Sequence, residues 1–469
     1  MGIDIPIGWG RISTKDAYDK ISLNGIKVKE KDYEVNGKFP VIDQGKKLIG
    51  GYFSDDKLVV SGEPPYIIFG DHTKVKKYIN FKFVAGGDGL KVLKVKSFFE
   101  PKLFYYFIHS IKLPDKGYAR HFQYLEKSEI NVPPFPEQQR IVAKIEELFS
   151  ELDNGIENLK SAQQQLKVYR QAVLKWAFDG KLTEEWRKNK KDLSLAQDVL
   201  AQILKYSVKK GAHTKNIQAI KVEDLQDESK GTNPKSWMWI KLINITEVIS
   251  DGDHQPPPKS INGIPFITIS NIIAKNQIDF TNTFFVNEEY FYSLKSTRKP
   301  QKGDVLYSVT GSFGIPVLVD FDKKFCFQRH IGLIRPINYI NQRWLYYVLQ
   351  SPQIFEQAKK VATGTAQKTV PLEGIRNFKI PFAVVEEQEQ IVHEIESRLS
   401  VCDKMEEAIE QALSKAEALR QSILKKAFEG KLVPQDPNDE PAEKLLERIG
   451  AEKEIKSKES KTISRRNRK

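Results

Sequence analysis

From Ile141 the apolar positions advance by threes and fours through Ile145, Leu148, Leu152, Ile156, Leu159, Ala162, Leu166, Tyr169 and Val173. The same spacing returns from Ile391 through Ile395, Leu399, Cys402, Met405, Ile409, Ala412, Ala416, Leu419 and Ile423. A repeat midway between three and four is the seam of a coiled coil, so two long helices are predicted. Residues 137–182 align with 387–432 without a gap, best at the two ends, "EQ..IV..IE" and "RQ..LK.AF.GKL". Gly180 and Gly430 supply the helix stops, each beside a lysine.

The repetition reaches beyond the helices. "PIGW" at Pro6 answers "PKSW" at Pro234, and "LFYYFIHS" at Leu103 answers "WLYYVLQS" at Trp344. "GYARHFQYLE" at Gly117 is matched to "GTAQKTVPLE" at Gly364, and "VPPF" at Val132 to "IPFA" at Ile380. Between these anchors the halves differ freely, as if one scaffold carried two different binding surfaces. Short β-rich runs ("KFPVID", "PPYIIFG", "GIPFITIS", "GDVLYSV") separated by Gly, Pro, Asn and Asp turns precede Tyr-rich amphipathic helices near 101–111 and 342–357. The expected fold is therefore mixed α/β (α+β): two globular domains, each followed by a long helix, related as an internal repeat. The expected spans are 1–134 and 234–384 for the globes, and 135–182 and 385–432 for the helices. Residues 183–233 form a polar connector with one helical stretch, and 433–469 an extension with a short helix and a basic tail.

Composition narrows the class without naming a function. The chain of 469 residues has room for two or three domains, and its 40% hydrophobic content is that of a globular protein. No apolar run approaches the ~20 residues that span a bilayer, and the first residues lack a signal-peptide layout, so a cytoplasmic protein without a membrane partner is expected. Cys326 and Cys402 make no disulfide framework, and Cys326 with His330 is too few ligands for a metal site. The net charge of +13 points to a polyanion, although the tail from Ala451 carries eight Lys and Arg against three Glu.

Catalytic signatures are missing. There is no phosphate-binding G-x-x-x-x-G-K-[ST] loop and no glycine fingerprint between strand and helix. In "NVPPF" at Asn131 the inserted valine breaks the Asn-Pro-Pro of adenine methyltransferases, while "DGK" at Asp179 and "EGK" at Glu429 fall at helix ends. No catalytic, cofactor-binding or metal residue is assigned. What remains suits nucleic acid, because Lys and Arg neutralise phosphates and His, Thr, Gln and Arg read base edges. The candidates in the first globe are His72, Thr73, Lys74, Lys76, Lys77, Arg120, His121 and Gln123. In the second they are His254, Lys259, Arg329, Gln367 and Lys368. Trp9 and Trp237 read as scaffold.

Taken together, "PEQQRIVAKIEELF" and "EEQEQIVHEIESRL", the closing "AFDGKL" and "AFEGKL", the opening "GW" and "SW", and "GKLVPQDPNDEPAEKLLERI" resemble the specificity subunits of type I restriction-modification enzymes. The resemblance covers nearly the whole chain. It implies two target-recognition domains, each reading one half of a bipartite site in double-stranded DNA, joined by helices packed as an antiparallel coiled coil about a pseudo-two-fold axis. It implies a subunit that is not itself an enzyme. Two methyltransferase subunits, carrying S-adenosylmethionine and methylating adenine at N6, are its implied partners, joined where present by two restriction subunits using ATP and Mg. Helices of 40 residues, roughly 60 Å at ~1.5 Å per residue, would then act as a ruler. The alternative expectation is a coiled-coil scaffold or DNA-binding regulator without a methyltransferase partner.

Overall fold

The computed structural model describes residues 5–450 except 115, 116, 118, 191, 210–233, 255, 256, 274–276 and 449. The basic tail and much of the connector lie outside the described residues. Contacts divide the chain into two units, residues 1–160 with 410–469, and residues 161–409.

The first unit holds β1 (Gly10–Ser13), β2 (Tyr18–Ile21), β3 (Lys27–Val28), β4 (Phe39–Ile42), β5 (Gly51–Phe53), β6 (Tyr66–Gly70), β7 (Lys76–Ile79), β8 (Val84–Gly86), β9 (Leu90–Val95) and β10 (Glu129–Val132). Helices α1 (Pro101–Ser110) and α2 (Phe122–Glu126) follow β9, and α3 (Phe135–Phe178) follows β10. An antiparallel sheet runs β2-β9-β6-β7, a mixed one runs β3-β8-β4-β5, and β1 pairs with β10. Beyond α3 lie α4 (Glu184–Asn189) and α5 (Ala196–Lys209).

The second unit repeats the plan. Its strands are β11 (Met238–Lys241), β12 (Thr246–Asp251), β13 (Ile264–Ile267), β14 (Ile272–Ile273), β15 (Gln277–Ile278), β16 (Phe284–Val286), β17 (Val305–Ser308), β18 (Pro316–Leu318), β19 (Cys326–Phe327), β20 (Ile331–Pro336) and β21 (Lys379–Phe382). Its helices are α6 (Glu288–Ser293), α7 (Gln342–Gln350), α8 (Pro352–Val361), α9 (Leu372–Arg376) and α10 (Val385–Phe428). The sheet β12-β20-β17-β18 matches β2-β9-β6-β7 strand for strand, and β11 pairs with β21 as β1 does with β10. In each unit the second sheet mixes parallel and antiparallel pairing: β8 runs parallel to both β3 and β4 with β5 antiparallel to β4, and β13 runs parallel to β19 and antiparallel to β16. The Tyr-rich helix predicted to run to residue 357 breaks at Ser351, because Pro352 starts α8 and cannot continue α7.

Strand register corrects two of the matches made from short motifs. Gly10 faces Val132 and Met238 faces Phe382, so Phe382, not Ile380, stands where Val132 does. Likewise α2 begins at Phe122 and α9 at Leu372, which aligns Arg120 and His121 with Val370 and Pro371 rather than with Gln367 and Lys368. Buried side chains decide this: Leu125 and Ile375 are both withdrawn from solvent at the same place in their helices, whereas "YLE" and "PLE" agree by letters alone.

Each long helix has 44 residues. In the first unit Ile141, Val142 and Ile145 of α3 share a core with Ile423, Leu424 and Ala427 of α10; in the second, Val173, Leu174 and Ala177 do so with Ile391, Val392 and Ile395. The helices run antiparallel in both. The seam is not apolar and closed throughout, for Tyr169, Met405 and Leu419, placed in it by spacing, are 36%, 50% and 51% exposed. Both helices stop through the same motif. Gly180 and Gly430 take the left-handed conformation, and Lys181 and Lys431 donate to the carbonyls of Trp176 and Lys426. No described helix is long and apolar enough to cross a membrane.

The repeated "EQ" explains how each helix is joined to its globe. Trp9 Nε1 donates to Glu137 Oε2 at 3.0 Å, and Trp237 Nε1 to Glu387 Oε2 at 2.8 Å. The neighbouring glutamines hold main chain: Gln138 accepts from Glu100 N and donates to the carbonyls of Phe98 and Pro133, while Gln388 accepts from Asn341 N and donates to the Ala383 carbonyl. All four helix residues are buried, and hydrogen bonds of this kind offset the cost of taking an amide or carboxylate out of water. Both tryptophans are buried too, as their reading as scaffold requires.

Candidate nucleic-acid interface

Three surface segments converge in the first unit: the β6–β7 turn, the β8–β9 turn and the residues before α2. Asp71 ties them together. Its N–H donates to the Gly89 carbonyl at 2.8 Å, its own carbonyl accepts from His121 N at 2.9 Å, and its carboxylate accepts from Phe122 N at 2.9 Å. The turn is tightly closed, with Gly70 N donating to Val75 O and Lys74 N to Gly70 O. Lys74 adopts φ +60°, a conformation that costs a lysine about 1–2 kcal/mol and brings the chain back within four residues. Thr73 Oγ1 donates to the Gln44 carbonyl at 2.7 Å and so draws in a fourth segment, the β4–β5 loop.

The second unit builds the same junction from other residues. Val309 N donates to the His330 carbonyl at 2.9 Å, and the Val309 carbonyl accepts from Val370 N at 2.8 Å. These are the two main-chain bonds that Asp71 makes in the first unit. Gly311 N adds a bond to the Lys368 carbonyl, and Thr363 pairs with Thr369 to close the loop that presents Gln367 and Lys368. Arg329 N donates to the Asp253 carbonyl, which sets His254 beside Arg329. Ser308, whose Oγ accepts from Ile315 N and donates to the Ser312 carbonyl, braces the β17–β18 turn from within.

Most of the predicted residues sit on these segments. Thr73, Arg120 and Gln123 are exposed and Lys74 half-buried in the first unit; His254, Arg329, Gln367 and Lys368 are exposed in the second. His72 lies in the turn, half-buried. Two candidates are interior. Lys77 donates to the carbonyls of Asp43, Lys47 and Leu48 and is 4% exposed, so it holds up the β4–β5 loop from beneath. Strand alternation is the reason: on β7, Lys77 shares the buried face with Ile79, while Lys76 and Tyr78 share the other. His121, the residue just before α2, is wholly buried, its Nδ1 3.1 Å from the Asp71 carbonyl inside the junction. Lys76 is half-buried, and burial pushes its ammonium down to about 8. Lys259 is exposed and lies 5.0 Å over the Phe284 ring, on the β13–β16 side of the domain.

Sequence reading missed the β4–β5 loop, where Lys46 and Lys47 are exposed beside Thr73's anchor. The glycine-flanked lysine pair in "DQGKKLIG" was the available signal. It also missed Thr310 and Ser312 on the β17–β18 turn, which is the counterpart of the turn carrying Thr73 and Lys74. Next to them, burial and then the Arg329 charge push His330 below its ordinary value, leaving a neutral ring that can both donate and accept at pH 7. Each patch therefore offers cations for phosphates and neutral donors and acceptors for base edges, on a frame fixed by main-chain bonds. Among the described residues no group of three or more metal-binding side chains converges.

Comparison with known proteins finds one family in both halves of the chain. The family described as type I restriction modification DNA specificity domain matches residues 6–161 and 234–415, one stretch for each half of the repeat. The type I restriction enzyme EcoBI specificity subunit of Escherichia coli is 27% identical over 341 residues, 70% of this chain and 65% of that one. The EcoAI specificity subunit of Escherichia coli is 26% identical over 349 residues, 63% of this chain and 57% of that one. The chain thus spans somewhat under two thirds of these relatives' length. In fold, it superposes on a chain from a solved type I R-M system with a TM-score of 0.64 and 17% identity, covering 92% of this chain and 100% of that one.

Proposed function

The chain belongs to the type I restriction modification DNA specificity domain family, and from that premise we propose that it is the non-catalytic subunit that selects the DNA sequence on which partner subunits act. Each recognition domain reads one half of a bipartite site in double-stranded DNA. The long helices set the number of unread base pairs between the halves. Two methyltransferase subunits carrying S-adenosylmethionine methylate adenine at N6 at the chosen site, and restriction subunits using ATP and Mg join them where they are encoded. The work is done on DNA in the cytoplasm.

One observation carries this reading. The same two main-chain hydrogen bonds assemble the same three segments in both units, while the side chains they present differ. A frame kept twice with different side chains on it is what two readers of two different half-sites require. The test is long-read mapping of N6-methyladenine in the host genome with and without this gene. Loss of one bipartite motif on deletion is the expected result; an unchanged methylome would favour a scaffold or regulator without a methyltransferase partner.

The candidate residues can be sorted by salt dependence. Lys74→Ala and Lys368→Ala are each expected to reduce the slope of log K against log salt by about 1, the signature of one lost phosphate contact. Arg329→Ala or Gln367→Ala, if they read bases, should cost about 1–3 kcal/mol on the native half-site and little on others. Titration of labelled duplexes at several salt concentrations distinguishes the two classes. Lys77→Ala is expected to lower the melting temperature instead, since its ammonium serves the interior.

A further inference from the structure

On the reading surface of the second unit, residues 363–369 form a hairpin whose chemistry fits one kind of base pair. Thr363 and Thr369 exchange both main-chain hydrogen bonds, at 2.9 and 2.8 Å. Gly364 turns the chain back with φ +102°, and a Cβ there would stand 2.5 Å from the Gln367 carbonyl. The base of the hairpin is laced to the β17–β18 turn. Thr310 pairs with Thr369, the Thr369 hydroxyl donates to that of Thr310 at 3.3 Å, and Gly311 N donates to the Lys368 carbonyl at 3.0 Å. Every residue from Thr363 to Lys368 is exposed.

The tip carries Thr365, Ala366 and Gln367 in succession. A Cβ at Gly311 would stand 3.2 Å from Gln367 Nε2, so that glycine leaves the amide its place against the neighbouring turn. Residues 357–372 hold three lysines and no carboxylate, which favours the approach of a polyanion. The major groove of B-DNA, about 12 Å wide, admits a narrow hairpin, whereas the minor groove, about 6 Å wide, does not. In the major groove a carboxamide meets adenine through two bonds, its nitrogen donating to N7 and its oxygen accepting from N6. Small methyl groups such as those of Ala and Thr meet the thymine C5-methyl. The three tip residues therefore match both members of one A·T pair, and Lys368 beside them suits a phosphate.

We propose that Gln367 reads the adenine of an A·T pair in the major groove, with Ala366 and Thr365 against the thymine methyl, an inference that rests on the DNA-selecting reading above. This pair is not the methylated one. A methyltransferase takes its target base out of the stack, and a base so extruded no longer presents its edge in the groove. The half-site of the second unit therefore contains an A·T pair in addition to the one that is modified.

The experiment uses the full chain with the methyltransferase subunit encoded beside its gene, and duplexes carrying the motif found by methylation mapping. Each unmethylated adenine of the motif is replaced in turn by 7-deazaadenine, which lacks N7, and each thymine by uracil, which lacks the methyl group. With the wild type, 7-deazaadenine at one position in one half-site is expected to weaken binding about tenfold, and uracil opposite it to weaken binding by a smaller factor. Gln367→Ala should lose at least as much on the native duplex and nothing further with 7-deazaadenine at that position, because both changes remove one contact. The modified duplexes act on the wild type, so the result does not depend on how a variant folds. A motif with no adenine sensitive to 7-deazaadenine, losses that add at every adenine, or equal weakening of Gln367→Ala on all duplexes overturns the inference while leaving the selection of DNA intact. A wild type with no motif and no sequence preference overturns both.

Discussion

Replacing Glu387 with alanine is expected to cost the second unit about 3–5 kcal/mol, because it leaves a largely buried arginine without its counter-charge. Glu387 is wholly buried and fully engaged: Trp237 Nε1 and Thr183 Oγ1 donate to it at 2.8 and 2.7 Å, and Arg187 forms an ion pair with it. Arg187 also bonds Thr183 and the Gly180 carbonyl, so one carboxylate joins the recognition domain, the start of α10 and the end of α3. Hydrogen exchange, which reads each region separately, should show lost protection in β11, β21 and the start of α10. Wild-type protection there would show that the junction is held by its apolar neighbours alone.

The equivalent residue of the first unit should behave differently. Glu137 keeps the tryptophan bond but lacks the threonine and arginine; its Oε1 is buried with no partner. Burial pushes its carboxyl above the ordinary value, so the fold favours the protonated form. A raised carboxyl contributes its stability in full below about pH 4.3 and loses it as pH rises through the raised value. Glu137→Gln, neutral at every pH, should therefore cost about 1 kcal/mol or less and flatten that part of the pH profile.

Deleting four residues from the exposed middle of α3 is expected to abolish methylation of the native motif, or to move it to a motif with a gap shorter by roughly two base pairs. Four helical residues are ~6 Å and a base-pair step is ~3.4 Å. The deletion also rotates the remainder of the helix by about 40°, which is why complete loss is the commoner expected result. Long-read methylation mapping of the variant reports both outcomes. Retention of the native gap would show that the helices do not set it.

Much of this was legible in the chain because its strongest signals are periodic or repeated. The two long helices and their glycine stops follow from local rules, and each stands where those rules place it. What could not be read depends on faces. Lys77 reads as a surface cation until alternation on β7 turns it inward, and His121 reads as a candidate for base edges until its ring is found buried against the Asp71 carbonyl. Tyr169, Met405 and Leu419 fit the heptad but are exposed, because spacing says which positions align along a helix and not how far a neighbour covers them. The β6–β7 and β17–β18 turns are counterparts only through strand order, since "GDHTK" and "VTGSFG" share nothing that letters could match.

Apart from the bond from Phe122 N to the Asp71 carboxylate, the frame that Asp71 and Val309 hold is made of main-chain hydrogen bonds, and these impose almost no demand on side-chain identity. Variation at Arg120, Arg329 or Gln367, all exposed, therefore changes what the surface presents without disturbing the fold beneath. Under the proposed function, specificity can change one exposed residue at a time while the fold stays anchored by a few buried residues such as Glu387 and Gln388.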